Sequence, residues 1–270
     1  MRLRALLAAC ALALASCTPS VPASGSLVYG LTLAPSGIDP HLNASSELGI
    51  PLASVYDTLV FLDPDTGDFV PGLAEDWTIS PDGTTYTFDL RRDVTFHDGT
   101  RFDAQAVRAN IEYTLNPDNH SQKAAFMLGP LDRVETPDEF TAVLVLKEPY
   151  APLLDSLSQV YLGMASPKAL EEWGAVDYQF HQVGSGPYTF VEYVPNDHLT
   201  LQANPDYDWA PSIYKQRRAS VETITFRFFT DSATRALALE SGQADIVGEI
   251  PPHDAERLVS SGSFTLVPVA

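Results

Sequence analysis

Alternating apolar and polar residues predict strands along much of the chain. Tyr86, Phe88 and Leu90 recur at every second position, which places them on one face of a strand. The preceding Ser80-Pro81-Asp82-Gly83 is typical of a tight turn, so the two together predict a hairpin. Further strands are predicted at positions 26–33, 141–146, 188–193, 224–228 and 244–247.

Helical spacing occurs in a smaller part of the chain. Val107, Ile111 and Leu115 are spaced to share one face of a helix over 104–115. Asp103 is suited to cap its N-terminus, and Asn116-Pro117 is suited to end it. Other helices are predicted over 151–157, over 167–173, from Asp231 or Ser232 to Ser241-Gly242, and over 48–62, where a helix runs into a strand. Because strands and helices alternate irregularly, we expect a mixed α/β protein.

The first 26 residues are typical of an exported, lipid-attached protein. A positively charged start precedes an apolar run over 5–14, which is too short to span a bilayer and favours a signal peptide. Leu14-Ala15-Ser16-Cys17 resembles a bacterial lipobox, and this resemblance implies that Cys17 carries a lipid. We expect a lipoprotein signal peptide over 1–16 and a Pro/Ser/Ala-rich tether over 17–26. The alternative is an ordinary signal peptide with an incidental cysteine.

Charge and composition narrow the functional classes. The 270 residues include 16 Lys+Arg and 35 Asp+Glu, which gives a net charge of −19. Such a chain repels nucleic acid, so no nucleic-acid partner is expected. Both cysteines, Cys10 and Cys17, lie within the N-terminal segment, and this excludes a disulfide framework in the rest of the chain.

The sequence offers no motif for catalysis. No pair among the six histidines has HExxH or HxxxH spacing, and there is neither a GxSxG elbow nor a phosphate-binding Walker loop. We therefore expect no catalytic residue, no metal site, no cofactor and no enzyme activity. A hydrolase with paired carboxylates stays open as a minor alternative, because the sequence does not show which carboxylates meet in space.

A series of short motifs follows the order found in one known family. The most specific stretch, over 73–99, contains Leu-Ala-Glu-Asp-Trp, the hairpin, a Leu-Arg pair and a Phe-His-Asp-Gly turn. The other matching motifs are Ile38-Asp39-Pro40-His41, Tyr56-Asp57-Thr58-Leu59-Val60, Gly184-Ser185-Gly186-Pro187-Tyr188 and the stretch over 234–246. Over about residues 27–270 the chain resembles the N-terminal half of the extracytoplasmic solute-binding proteins of family 5, which serve oligopeptide, dipeptide and nickel ABC importers.

The resemblance implies a fold. That fold is α/β and periplasmic-binding-protein-like of the class II type, with mixed β-sheets and flanking helices. We expect 27–50 and 184–270 to form an incomplete first-lobe ligand-binding domain and 51–183 to form an α/β subdomain inserted into it. Members of the family continue into a second lobe, which is therefore expected to be missing or truncated here. A fragment of a longer product and a truncated gene both stay open as explanations.

The resemblance also implies three segments that line a ligand cleft. The expected ligand-binding residues are Asn43, Ala44, Ser45 and Ser46, then Phe126 and Met127, then Val247, Gly248 and Glu249. For Phe126 the alternative is core packing, and for Glu249 it is a solvated surface carboxylate. Most signature residues are expected to be structural: Trp77, Tyr86, Phe88 and Phe96 in the core, Gly83 and Gly99 in turns, and Gly184 and Gly186 in a bend.

The implied function is that of a lipid-anchored substrate-binding component of an ABC importer. It would capture di- or oligopeptides outside the cytoplasmic membrane and deliver them to permease and ATPase subunits. The alternatives are a sensor or scaffold lipoprotein and a binder of another solute, such as a nickel chelate. Nickel is less favoured for two reasons. Asn43 and Leu48 stand where the resemblance places a tyrosine and a methionine in nickel-type members. The resemblance also places an arginine near 161–165, where it holds an anionic chelator, but no arginine lies between Arg133 and Arg217.

Overall fold

The structure is a computed structural model that describes residues 25–267. The signal peptide, Cys17 and most of the predicted tether lie outside the described residues. The strands are β1 (Ser26–Leu31), β2 (Val60–Leu62), β3 (Phe69–Pro71), β4 (Ala74–Ile79), β5 (Thr85–Leu90), β6 (Leu131–Asp138), β7 (Thr141–Leu146), β8 (Tyr188–Val194), β9 (His198–Ala203), β10 (Thr223–Phe228) and β11 (Ile246–Val247). The α-helices are α1 (Gly49–Leu52), α2 (Ala104–Leu115), α3 (Ala124–Met127), α4 (Leu153–Leu157), α5 (Pro167–Asp177), α6 (Ser232–Glu240) and α7 (Pro252–Ser260).

A mixed five-stranded sheet contains the first and the last strand of the described chain. Its strand order is β11-β1-β10-β9-β8, with β1 parallel to both β10 and β11 and β9 antiparallel to its two neighbours. Tyr29 of β1 lies opposite Phe226 of β10, with ring centroids 5.7 Å apart. The parallel pairing requires a long excursion of the chain between β1 and β10, and most of the other elements lie in that excursion.

The excursion contains a second, antiparallel sheet of order β4-β5-β7-β6 and a small β2–β3 hairpin. The predicted turn at 80–83 joins β4 to β5, and Gly83 has a φ of +70°, a conformation that favours glycine. Tyr86, Phe88 and Phe96 are buried as expected, whereas Trp77 is only half-buried. The strands of the five-stranded sheet come from the segments predicted to form the first lobe, and those of the antiparallel sheet come from the segment predicted to form the inserted subdomain. The division of the chain into these two domains stays a prediction.

Helix α2 covers the antiparallel sheet and follows its prediction at both ends. The Asp103 carboxylate accepts a hydrogen bond from the backbone N–H of Ala106 at 2.9 Å, which caps the first turn. Val107 and Ile111 are buried, but the expectation that Leu115 shares their face is wrong, since it is 42% exposed. Thr114 takes the buried position in the last turn instead, because the helix ends there and the chain turns away.

Other predictions needed correction. Only a short helix, α1, forms in the segment 48–62, followed by a turn and β2. Helix α5 continues past 173 to Asp177 across a kink at Gly174, whose φ is +59°. Strand β6 was missed because it is an edge strand rich in charged residues with Pro137 inside it, and such a strand lacks apolar alternation.

Gly184 and Gly186 allow two backbone segments to touch. A Cβ on Gly186 would lie 2.6 Å from the carbonyl oxygen of Ser54, and a Cβ on Gly184 would overlap that of Val55. The Gly186 N–H donates to the Val55 carbonyl at 2.9 Å. Neither glycine is among the residues of positive φ, so close approach, rather than an unusual turn conformation, requires glycine at these positions.

A buried carboxylate joins the same region to a third part of the chain. Asp57 accepts hydrogen bonds from Ser185 Oγ at 2.9 Å, from Tyr207 Oη at 3.0 Å and from Trp209 Nε1 at 2.9 Å. Burial raises the pKa of the Asp57 carboxyl, while these three donors act in the opposite direction. The two oxygens therefore connect segments separated by more than a hundred residues.

Replacing Asp57 with Asn should destabilise the fold strongly. An amide supplies one acceptor oxygen and turns an NH2 group toward at least one of the three donors, so a buried donor loses its partner. We expect the free energy of unfolding to fall by about 2–3 kcal/mol in urea denaturation followed by tryptophan fluorescence. Asp68→Asn, at an exposed turn position, is the matched control. Equal stability of the two variants would contradict the role assigned to Asp57.

His97, of the Phe-His-Asp-Gly turn, binds the Gly-Ser-Gly-Pro segment. Its backbone N–H donates to Gly184 O at 2.9 Å, and its Nε2 lies 3.0 Å from Gly186 O, so Nε2 carries the proton. The buried Nδ1 has no partner among the described residues, and burial lowers the pKa of the ring. Protonation of Nδ1 would place a buried N–H without an acceptor, so the folded state retains neutral His97.

The lowered pKa predicts an acid-sensitive contribution to stability. The contribution of neutral His97 to the free energy of unfolding is fully present above the unfolded-state pKa of about 6.5. This contribution is lost as the pH falls toward the lower pKa of the folded state. His97→Gln keeps a donor but does not titrate, so its free energy of unfolding should fall less steeply on acidification, by up to about 1.4 kcal/mol per pH unit. Urea titrations at several pH values measure this, with the exposed His120→Gln as a control that keeps the wild-type slope. A wild-type slope for His97→Gln would refute the assignment.

Candidate functional site

The three parallel strands end at one edge of the five-stranded sheet. After β1 the chain enters the loop over 32–47, after β10 it turns into α6, and after β11 it passes through Gly248 and Glu249. Ligands of open α/β sheets bind outside the carboxyl ends of the parallel strands, where loops diverge and backbone groups become available. We call this edge and its loops the strand-end surface.

Glu47 binds the loop after β1 to the end of that strand. Its carboxylate accepts hydrogen bonds from Thr32 Oγ1 at 2.7 Å and from the Thr32 backbone N–H at 3.3 Å. Burial, together with the charge of Glu47, raises the pKa of Tyr29 on β1. A Cβ on Gly248 would lie 3.9 Å from Thr32 Cγ2, so the predicted segments around Ser46 and Gly248 both lie close to Thr32.

Asn43 shapes the loop that contains the first predicted segment. The Asp39 carbonyl accepts from the backbone N–H of Asn43 at 3.0 Å, and Asn43 Oδ1 accepts from the Asp39 N–H at 3.1 Å. The carboxamide oxygen of Asn43 is therefore used within the loop. Ala44 and Ser46 are exposed and Ser45 is half-buried, so the backbone of these residues is what the loop offers to a ligand.

The segment before α3 lies directly against that loop. Ser121 Oγ donates to His41 O at 2.6 Å, and the Gln122 N–H donates to Leu42 O at 3.1 Å. Tyr161 adds a second connection, because its hydroxyl donates to Ser45 O at 2.7 Å. The first and second predicted segments are thus adjacent.

The two predicted residues of α3 lie in different environments. Phe126 is 81% exposed, which favours the ligand-contact expectation over core packing. Met127 is only 7% exposed and belongs to the hydrophobic core, so its side chain is not available at the surface. Neighbouring positions of a helix turn point about 100° apart, which explains why one residue of the pair is exposed and the other is buried.

Arg235 was missed as a positioning residue for the third segment. Its guanidinium, on α6 and only 6% exposed, donates to Phe229 O at 2.7 Å and to Glu249 O at 3.0 Å. It therefore fixes the loops that follow β10 and β11. Glu249 has a φ of +49° and an exposed side chain. The backbone of Glu249 is thus committed to the fold, while its carboxylate is free to meet solvent or solute.

Among the described residues, no three His, Cys, Asp or Glu side chains form a group that could hold a metal ion. Over the same residues, 25–267, no helix combines the length and apolar character needed to cross a membrane.

Comparison with known proteins identifies the family. Residues 68–266 match the model of the bacterial extracellular solute-binding proteins, family 5 middle region. The chain belongs to this family. Members of the family bind solutes and work with ABC importers. The expected α/β, periplasmic-binding-protein-like fold is confirmed.

Individual relatives within family 5 differ in their solutes. The chain is 35% identical over 231 residues to the glutathione-binding protein GsiB of Salmonella paratyphi A. A solved structure of DppA from Helicobacter pylori in complex with the peptide STSA is similar, with a TM-score of 0.74 and 28% identity over 88% of this chain. A nickel ABC transporter protein from Bacillus halodurans has a TM-score of 0.71 and 31% identity over 86% of this chain.

These relatives are longer than the chain. The matched region is 85% of this chain but 43% of GsiB, and it is 49% of the DppA chain and 45% of the Bacillus halodurans chain. The chain therefore spans less than half the length of each of these relatives.

Removing the Glu47 carboxylate should loosen the strand-end surface. Glu47→Ala deletes the acceptor of both Thr32 hydrogen bonds, so the free energy of unfolding should fall by about 2 kcal/mol, and the Thr32 amide should exchange faster with deuterium. Urea denaturation and amide exchange measure the two effects. Glu171→Ala, at an exposed position of α5, should leave both unchanged. Unaltered exchange at Thr32 in Glu47→Ala would show that Glu47 does not hold the loop.

Proposed function

We propose that this protein is the lipid-anchored substrate-binding component of an ABC importer for di- and oligopeptides. The observation that carries the proposal is the strand-end surface of a family 5 protein. Residues of the loop after β1 and the Glu249 side chain are exposed there, and the exposed Phe126 is on α3, next to that loop. An extended peptide has backbone donors and acceptors along its whole length, and backbone groups of loops satisfy them without selecting side chains. The glutathione-binding relative and the complex of DppA with a peptide support this class of solute.

Lipid attachment is proposed at Cys17. The support is its position at the end of a lipobox-like motif that follows an apolar signal sequence. Two or more acyl chains hold a protein firmly at a membrane, since each buried methylene contributes about 0.8 kcal/mol. The anchor would place the protein outside the cytoplasmic membrane, within reach of the permease, and the permease and its ATPase subunits would be its partners.

Solute capture would use closure of two lobes. The strand-end surface would supply one wall, and the part of the relatives that this chain does not cover would supply the other. A solute that contacts both walls stabilises the closed arrangement by the difference between its affinities for the two arrangements. Closure also excludes water, which strengthens the hydrogen bonds that hold the solute. The protein would bind and release its solute without changing it.

A nickel chelate is the second candidate, favoured by the likeness to the Bacillus halodurans nickel protein. The intact protein, expressed from its natural gene, distinguishes the two by thermal denaturation with glutathione, trialanine or nickel–histidine. We expect either peptide, but not the nickel complex, to raise the melting temperature. The increase should grow with peptide concentration, as mass action requires. The peptide should be recovered unchanged. A response to the nickel complex alone would replace the peptide by a chelate. No response to any of the three would favour the sensor or scaffold role and contradict the proposal.

A further inference from the structure

One lysine differs from the rest of the chain in its surroundings. Lys123 immediately precedes α3 and is half-buried, whereas the other three lysines, Lys147, Lys168 and Lys215, are exposed. Its Nζ lies 3.7 Å from the centre of the Tyr161 ring. The same tyrosine donates to Ser45 O, so the ammonium lies beside the first predicted ligand segment.

The ammonium of Lys123 retains donors for a further partner. Among residues 25–267 no carboxylate oxygen lies within the 4.0 Å limit of an ion pair with Lys123. A lysine has three N–H donors and no acceptor, and an aromatic face attracts the charge without using all of them. Holding a cation half-buried without a counter-ion is costly, and a bound anion would offset that cost.

A groove of about 400 Å³ opens at this position. Lys123 and Tyr161 line it together with Ser46, Ser158 and Gln159, and its volume is within the range of small-solute sites. The nearby Asp155 accepts a hydrogen bond from Gln159 Nε2 at 3.1 Å, so this carboxylate already has a partner other than Lys123. The groove thus offers one cation and several small polar groups beside the loop that follows β1.

We propose that Lys123 anchors a carboxylate of the captured solute. This inference rests on the proposed function and adds a specificity to it: solutes with a free carboxylate are preferred over the same solutes with that group blocked. The Tyr161 ring holds the ammonium in place before binding, which reduces the side-chain entropy lost when the solute arrives. The chain carries a net charge of −19, so an unpaired cation in a groove is also a local point of attraction for anions.

The test measures affinities of the intact protein by calorimetry for two pairs of probes. The pairs are trialanine with its C-terminal amide, and glutathione with its diethyl ester. We expect the wild type to bind the member with a free carboxylate about 10-fold more tightly than the blocked member. Lys123→Gln should lose this preference, because its affinity falls only for the member with the free carboxylate. Lys123→Arg, which keeps the charge and the contact with the ring, should restore the preference. Lys147→Gln, at an exposed position, should behave as the wild type.

The outcomes separate this inference from the proposed function. Binding of both members of each pair with equal affinity by the wild type would overturn the role of Lys123 and leave peptide capture intact. Retention of the preference in Lys123→Gln would likewise overturn it. No binding of any probe by the wild type would contradict the proposed function, and the inference would fall with it. Equal melting temperatures of the free variants show that changes in affinity do not come from unfolding.

Discussion

The buried carboxylate of Asp57 is the point on which the arrangement of the chain depends. Asp57 is buried, and burial of a carboxylate costs free energy because the group loses its contacts with water. Hydrogen bonds from Ser185, Tyr207 and Trp209 offset this cost. Each donor comes from a segment far away in sequence. The hairpins β4–β5, β6–β7 and β8–β9 pair strands that are close in sequence, whereas β1 pairs with β10 across the whole excursion. The contacts of Asp57 help to hold the excursion against the segment between β9 and β10. Gly184 and Gly186 act in the same place, because only residues without a Cβ let the returning chain touch Val55.

Further contacts position the loops of the strand-end surface, where we propose that a solute binds. Two hydrogen bonds hold the loop after β1: Thr32 Oγ1 donates to the Glu47 carboxylate, and the Tyr161 hydroxyl donates to Ser45 O. The loops after β10 and β11 are held by Arg235. A binding surface formed from exposed backbone needs such support, because unsupported loops would lose entropy on binding and weaken affinity. The side chains that fix the surface are therefore mostly not those that would contact a solute.

The sequence predicted much of the fold where local signals were strong. The hairpin turn at 80–83 and the capped helix α2 were found because turn residues, caps and apolar spacing agreed. Strand β6 lacked apolar alternation, and the helix predicted to end at 173 continues past the kink at Gly174 to Asp177. For the site, the motifs pointed to segments but could not separate exposed Phe126 from buried Met127. Arg235 and Lys123 were not recognised, because their contacts with Glu249 O and with the Tyr161 ring arise from the fold and leave no spacing signal in the sequence.

The central claim is that a solute binds at the strand-end surface. Hydrogen–deuterium exchange of the intact protein, with and without a saturating peptide, tests it most directly. We expect slower exchange in the peptide complex at residues 32–33, 43–46, 121–126 and 247–250, with little change in β6 and α5. Protection confined to β6 or α5, with these four segments unchanged, would place the solute elsewhere and contradict the account.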